Sequence, residues 1–493
     1  MQENVSNTDP LKIICEDTVS GKNATYGSLR EDAFRAAHTL RHQYGLCEGD
    51  TVSIISRSCV DYIIAAHSVW AAGGIVSTIN HSSTAQEIAH AIQIVKPRFF
   101  IVDATVNHKL NEATKLEGTI SYADCRVFTL LSRIDGHSLV FPNDFVGNPS
   151  RIGYETYVLD GKDARTVCAA IVLSSGTTGS PKAVMLSHHN LVAICEQLRL
   201  HNNDNWRGSM REIFFPLMQE KSATLARLVP TVALALAESK VVEKYKYSDL
   251  EYFSCAAAPL KPYVAAKLRD KFPGVSICQT YGCTELSSCV SQSGVQDKGS
   301  PLVATGTLLA NIGIRFVNEK LEDLPPHQPG EICVNSPTIM MGYKDNEIAT
   351  HEAMLEPGWY RTGDIGYLDS KGYLIVIDRI KDIIKYKGFQ VSPTEIEEVI
   401  GLHPLVEDAA VTSTWNDSEA TEVPQAFIVP VLGTPISDYK QLGQEIQDLV
   451  ALKLAGYKRL RGGVKFVDKL PKNPTGKILR RQLRDAARLK AKI

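Results

Sequence analysis

The sequence predicts an α/β protein of two domains: a large N-terminal domain over residues 1–380, with parallel sheets layered with helices, and a small C-terminal α+β domain over residues 381–493. Three observations predict it. At 493 residues, 44% of them hydrophobic and 22% charged, the chain is longer than a single core readily fills. Helix-like and strand-like stretches alternate through its first third with short connections, as expected of helices packed on a largely parallel sheet. From Trp359 the texture changes to short apolar runs between closely spaced turn signals, and after Arg379-Ile380-Lys381-Asp382 a small unit begins.

The elements follow in order. Ser28-Leu29-Arg30-Glu31 has the form of a capping box, and Leu29, Ala33, Ala36 and Leu40 share one helical face that ends at Gly45. Thr51 to Ile55 reads as a strand, Asp61 to Ala72 as a helix, Ile75 to Ile79 as a strand, Thr84 to Val95 as a helix and Arg98 to Val102 as a strand. Between Trp359 and Ile377, the turns Thr362-Gly363-Asp364 and Asp369-Ser370-Lys371-Gly372 predict hairpins. The small unit reads as a helix from Pro393 to Gly401, strands at Ala409 to Thr412 and Gln425 to Val431, a helix from Tyr439 to Leu454 and a strand at Val464 to Val467.

Composition excludes several classes of function. Lys plus Arg number 53 against 55 Asp plus Glu, so no net field draws the chain to nucleic acid or an anionic membrane, and any polyanion must be met locally. There is no apolar run of about 18 residues to span a bilayer. Met1 to Lys12 is polar, unlike a signal peptide, which predicts a cytoplasmic protein unless another address operates. Eleven cysteines lie scattered between Cys15 and Cys333 without a CxxC pair, which predicts reduced thiols; Cys278, Cys283 and Cys289 cluster, but without a fourth metal ligand.

The sharpest local signal is the apolar run Ala169 to Leu173 leading into Ser174-Ser175-Gly176-Thr177-Thr178-Gly179-Ser180-Pro181-Lys182. Glycines let main-chain amides close around a phosphate, hydroxyls add hydrogen bonds, and Lys182 brings positive charge. The same composition also occurs in flexible linkers, which seldom sit between a buried strand and a helix. The loop is not a Walker motif, because Gly179 stands three residues before Lys182 rather than next to it.

This loop resembles the signature of the adenylate-forming superfamily, which includes acyl-CoA synthetases and 4-coumarate-CoA ligases. Four further segments agree in order: Ala256-Ala257-Ala258-Pro259-Leu260; Gln279-Thr280-Tyr281-Gly282-Cys283-Thr284-Glu285; Tyr360-Arg361-Thr362-Gly363-Asp364 with Asp378-Arg379-Ile380-Lys381-Asp382; and Pro474-Thr475-Gly476-Lys477. The resemblance implies that ATP is held by Ser174, Ser175, Gly176, Thr177, Thr178, Gly179 and Lys182, with Tyr281 on the adenine face and Gln279, Ala257 and Ala258 around it. Thr284 would bond the α-phosphate, Glu285 would hold Mg2+, and Asp364 with Arg379 would take the ribose hydroxyls.

A carboxylate is a poor electrophile, so in the implied reaction its oxygen attacks the α-phosphorus of ATP and expels pyrophosphate. The thiol of coenzyme A then displaces AMP from the acyl carbon. Lys477 would stabilise the first step; the turn Lys385-Tyr386-Lys387-Gly388-Phe389-Gln390 would replace it for the second after rotation about a hinge at Lys381. Lys385 and Gln390 are then catalytic candidates, and Lys387 and Gly388 are candidate ligand contacts. The stretch Asp378 to Pro393 most resembles 4-coumarate-CoA ligases, pointing to an aryl, arylalkenoic or medium- to long-chain acid and to secondary metabolism.

One departure stands out after Phe214-Phe215-Pro216-Leu217, where relatives continue with a helix and strand that wall the acyl pocket. Here 105 positions separate Ser174 from Gln279, roughly 45 fewer than the family usually has and more than loop variation explains. The expectation is an internal deletion, which leaves open a competent ligase, an impaired nucleotide-binding relative, or an enzyme that loads a separate carrier protein. The terminal Ala491-Lys492-Ile493 resembles the Ser-Lys-Leu peroxisome address, implying an import receptor as partner.

Overall fold

The computed structural model describes residues 7–17, 20–116, 125–135, 138–147, 156–174, 181–202, 223–294, 301–472 and 477–490. The chain divides into two compact units. The first comprises Met1–Ile213, Cys283–Ser288 and Ser336–Met354; the second comprises Phe214–Gly282, Cys289–Asn335 and Leu355–Ile493.

An eight-stranded sheet forms the first unit, in the order Gly342–Tyr343, Lys182–Ser187, Cys168–Ser174, Ile75–Asn80, Thr51–Ser56, Phe99–Asp103, Arg126–Leu130 and Val140–Phe141. Pairing is parallel from Cys168–Ser174 onward and antiparallel at the Lys182 edge. Thr51–Ser56 and Phe99–Asp103 are buried at every position, because helices cover both faces. Successive side chains divide between those faces. Val52, Ile54, Phe99 and Ile101 pack with Leu40 and Ile64, while Ile55, Phe100 and Val102 pack with Ile88, Ile92 and Leu110.

The alternating elements predicted for this region end within one or two residues of the observed ones. The first capping box does not. Helix Tyr26–His42 starts one turn earlier, capped by Thr25 in a reciprocal box with Ser28, and Glu31 instead pairs with Arg35 one turn along the helix. A second box, Thr84 with Glu87, opens Ala85–Val95.

The second unit begins with the parallel strands Leu225–Leu228, Tyr252–Cys255 and Ser276–Tyr281, continued antiparallel by Ser291–Gln292 and Thr307–Leu308. A further antiparallel sheet includes the long hairpin Trp359–Leu368 with Leu374–Arg379, as the turn signals predict. Beyond it lie a small hairpin, Ile384–Tyr386 with Phe389–Val391, and a three-stranded sheet in which Thr421–Pro430 runs between Val406–Asn416 and Val464–Phe466. Helices Pro393–Ile400 and Tyr439–Lys453 cover one face around Ile396, Ile446, Val411 and Ile428. Leu470 and Leu483 meet Ala410, Phe427 and Val429 on the other.

Helix Arg480–Lys490 is anchored to this lobe by a buried ion pair, in which Arg480 donates to Glu397 at 2.7 Å and to the Val411 carbonyl at 3.2 Å. The Glu397 side chain is 2% exposed and also accepts from the Val411 amide at 2.8 Å, so Arg480 and that amide stand in for water around its charge. Arg480→Met is expected to destabilise the chain by about 3 kcal/mol in denaturant unfolding, because it strands that carboxylate. Pairing it with Glu397→Leu should recover much of the loss.

Candidate active site

In the first unit, Cys168–Ser174 and Lys182–Ser187 are antiparallel partners, with Ser174 directly opposite Lys182. The expected phosphate loop is therefore the connection of a strand pair, and its residues Ser175, Gly176, Thr177, Thr178 and Gly179 lie outside the described residues. Lys182 directs its ammonium at the Tyr343 ring, 4.5 Å from the centroid, and the Tyr343 hydroxyl donates to Glu285 Oε1 at 3.0 Å. The carbonyl of Glu285 accepts from the Met340 amide at 2.8 Å. Thr284 opens the short turn Thr284–Leu286, which Ser287 closes in the left-handed region while its hydroxyl bonds the Thr338 carbonyl.

Glu285 thus offers one oriented carboxylate. Among the described residues no group of three or more metal-type ligands occurs. Tyr343, absent from the sequence reading, joins Lys182 to Glu285. It lies 58 positions from Glu285 and has no motif of its own.

The second unit assembles the other expected residues. Asp364 and Arg379 face each other across the long hairpin, and Arg379 Nε lies 3.1 Å from Asp364 Oδ1. The Tyr281 hydroxyl donates to the other oxygen at 2.8 Å, which fixes its ring at the end of Ser276–Tyr281. Burial raises the Asp364 pKa, against the opposing pull of Arg379, Tyr281 and Lys477. Lys477 therefore lies within electrostatic reach of this cluster. Burial lowers its pKa to about 8, reinforced by Arg379 and opposed by Asp364 and Asp382.

Gln279 is bracketed by main chain: its side-chain oxygen accepts from the Leu260 amide at 3.1 Å and its nitrogen donates to the Leu302 carbonyl at 2.6 Å. It ties the segment Ala256 to Leu260 to the sheet. Within that segment Ala257 has φ +75°, the left-handed region, which costs a residue with a Cβ roughly 1–2 kcal/mol. Ala258 follows it, half-buried.

The second-step turn is the tip of the hairpin Ile384–Tyr386 with Phe389–Val391, where Lys387 and Gly388 both have positive φ. Lys385 and Gln390 are cross-strand partners, both exposed, and Gln390 donates to Glu319 at 2.9 Å. Lys387 pairs with Glu419 at 2.7 Å. Lys477, rather than this turn, is the basic group within electrostatic reach of Asp364 from this part of the chain. The proposed hinge residue Lys381 has its carbonyl bonded by Arg484 at 3.4 Å.

Fold and side-chain constellation together define an adenylate-forming enzyme of two lobes, with a carboxylate–arginine–tyrosine cluster beside a lysine from the small lobe. The chain belongs to the AMP-binding enzyme family, whose model matches residues 2–215 and 204–344; the model of the AMP-binding enzyme C-terminal domain matches residues 395–477. It is 32% identical to the probable 4-coumarate–CoA ligase 3 of Dictyostelium discoideum, over 90% of this chain and 87% of that protein. It is also 32% identical to the 4-coumarate–CoA ligase-like 1 of Arabidopsis thaliana, over 95% of this chain and 90% of that protein. The ATP-bound crystal structure of MatB from Rhodopseudomonas palustris superimposes with a TM-score of 0.82 at 25% identity, covering 97% of this chain and 96% of that one.

Two outcomes are expected. Ala257→Gly should raise stability by up to ~1 kcal/mol in denaturant unfolding, the relief of left-handed strain exceeding the entropic cost of glycine. ATP affinity should fall about tenfold between pH 7 and 9 in calorimetric titrations, as the ligand-free Lys477 ammonium is lost through its pKa of about 8. Lys477→Met should flatten that dependence.

Proposed function

We propose that this chain activates a carboxylic acid with ATP and passes the acyl group to coenzyme A. A carboxylate oxygen bonds to the α-phosphorus as the α–β bridging bond breaks, releasing pyrophosphate. The sulfur of coenzyme A then bonds to the acyl carbon, AMP leaves with the electron pair, and the thiol proton passes to solvent. The observation that carries this reading is that Lys477 lies within electrostatic reach of the Asp364–Arg379–Tyr281 cluster. Asp364 and Arg379 suit the ribose hydroxyls, Tyr281 the adenine, and Lys477 the charge developing at the α-phosphate. Glu285 suits the magnesium that accompanies ATP, next to Thr284 and Lys182.

The names of the relatives favour an aryl or arylalkenoic acid, with medium- and long-chain acids as the next class. For the thioester step, Lys385 and Gln390 share one exposed face of their hairpin, with Lys387 and Gly388 at its tip. Rotation about Lys381 would bring that hairpin to the site in place of Lys477. The final tripeptide, outside the described residues, is proposed as a peroxisomal address; its deletion from a fluorescent fusion should disperse the signal.

A second reading, a nucleotide-binding relative impaired by an internal deletion, is favoured by one observation. The single family model matches in two stretches that meet at residues 204–215. Moreover, the alignment to the Dictyostelium relative extends over 494 residues while using 90% of this 493-residue chain, so part of that relative has no counterpart here.

One experiment separates the readings: pyrophosphate exchange into ATP with a panel of carboxylic acids, followed by product mass with coenzyme A or with an acyl carrier protein. Acid-dependent exchange is expected, together with a coenzyme A thioester. Lys477→Ala should lower exchange by about 10²–10³ while sparing thioester formation from a supplied acyl-adenylate. ATP binding without exchange for any acid would establish the impaired relative.

A further inference from the structure

A contact within the second unit lies outside every motif described above. Lys261 follows the segment Ala256 to Leu260 and directly precedes helix Pro262–Lys271. Its ammonium lies 3.3 Å from Asp408 Oδ1 and donates to the Ala409 carbonyl at 2.9 Å, both on the first long strand of the small lobe. The second oxygen of Asp408 takes Lys472 at 2.6 Å. Lys472 in turn forms an isolated antiparallel bridge with Ile478, the residue after Lys477. One carboxylate therefore joins the root of the Lys477 loop to the segment expected to line the adenine.

The contact is well shielded, with side-chain exposures of 15% for Lys261 and 14% for Asp408. Burial alone would raise the Asp408 pKa, yet the two ammonium groups hold it below the usual carboxylate range. Beside it, the Tyr263 ring lies so close to Gly401 that a Cβ there would collide with the ring. Gly401 has φ −64°, so close approach rather than backbone freedom requires the glycine. The apolar core of the small lobe runs from Ile384 to Leu460 and includes no residue of Pro262–Lys271. The small lobe's core therefore closes without that helix, and the charged and aromatic contacts join the two.

We propose that Lys261 is a positioning residue: through Asp408 and Lys472 it latches the small lobe in the orientation that presents Lys477 to Asp364, and it must release for the second half-reaction. The assignment to a half-reaction rests on the ligase reading; the latch itself rests on the geometry. Shielded charge suits a reversible clamp, because water recovers both ions once they part, whereas an apolar interface would resist opening.

Hydrogen exchange on the full chain tests the latch without any need for turnover. Lys261→Met should speed amide exchange in residues 477–484 several-fold while leaving Ile446 to Val450 and Val411 unchanged, and Lys261→Arg should restore protection. Gly401→Ala, which pushes Tyr263 away, should have the same local effect. Unchanged exchange in 477–484 in both variants, or faster exchange throughout the small lobe, would overturn the proposal. In catalysis, Lys261→Met should cut acid-dependent pyrophosphate exchange about tenfold and leave thioester formation from a supplied acyl-adenylate unimpaired; equal losses in both steps would also overturn it. A wild-type chain that performs no exchange would sink the ligase reading, while the amide data still decide the latch.

Discussion

Burying the Asp364 carboxylate is the constraint on which the candidate site depends. It is 5% exposed, and an isolated carboxylate in such a place would take up a proton rather than stay charged. Arg379 meets one oxygen because the hairpin register sets the two residues opposite each other, and Tyr281 meets the second from a different sheet. Two sheets are thereby joined at one side chain. Even so, burial outweighs these partners, since the Asp364 pKa stays raised. The protein leaves the carboxylate short of donors.

The cations beside it show the complementary imbalance. Burial disfavours the charge of Lys477, and the neighbouring Arg379 guanidinium adds to that. A polyphosphate relieves both effects at once, as bridging anion and as replacement for lost water. The cluster is thus electrostatically unbalanced for both signs of charge.

Much of this was legible in the sequence, and the misses share a cause. Alternating strands and helices, the long hairpin and the order of the small lobe follow from periodicity and turn residues, which act over a few positions. The first capping box was placed one turn too far along because Ser28 serves as the N3 partner of Thr25 rather than as the cap itself, and both arrangements use the same residue types. Tyr343 and Lys261 were passed over because their importance comes from partners 58 and 147 positions away, which no local pattern encodes. Gln279 sits in a recognisable motif, but that motif gives no sign that both of its amide atoms are engaged by main chain.

The internal deletion expected near residue 217 bears on the acyl pocket more than on the cluster around Asp364. The residues around Asp364 come from Ser276–Tyr281, the long hairpin and the small lobe, all beyond the junction, and their geometry is intact. The first sheet of the second unit is different. Leu225–Leu228 lies at its edge, paired among the described residues with Tyr252–Cys255 alone, and only residues 203–222 connect it to helix His188–Asn202. The cluster around Asp364 therefore stands on elements that lie among the described residues, whereas the wall of the acyl pocket rests on the expectation drawn from the sequence.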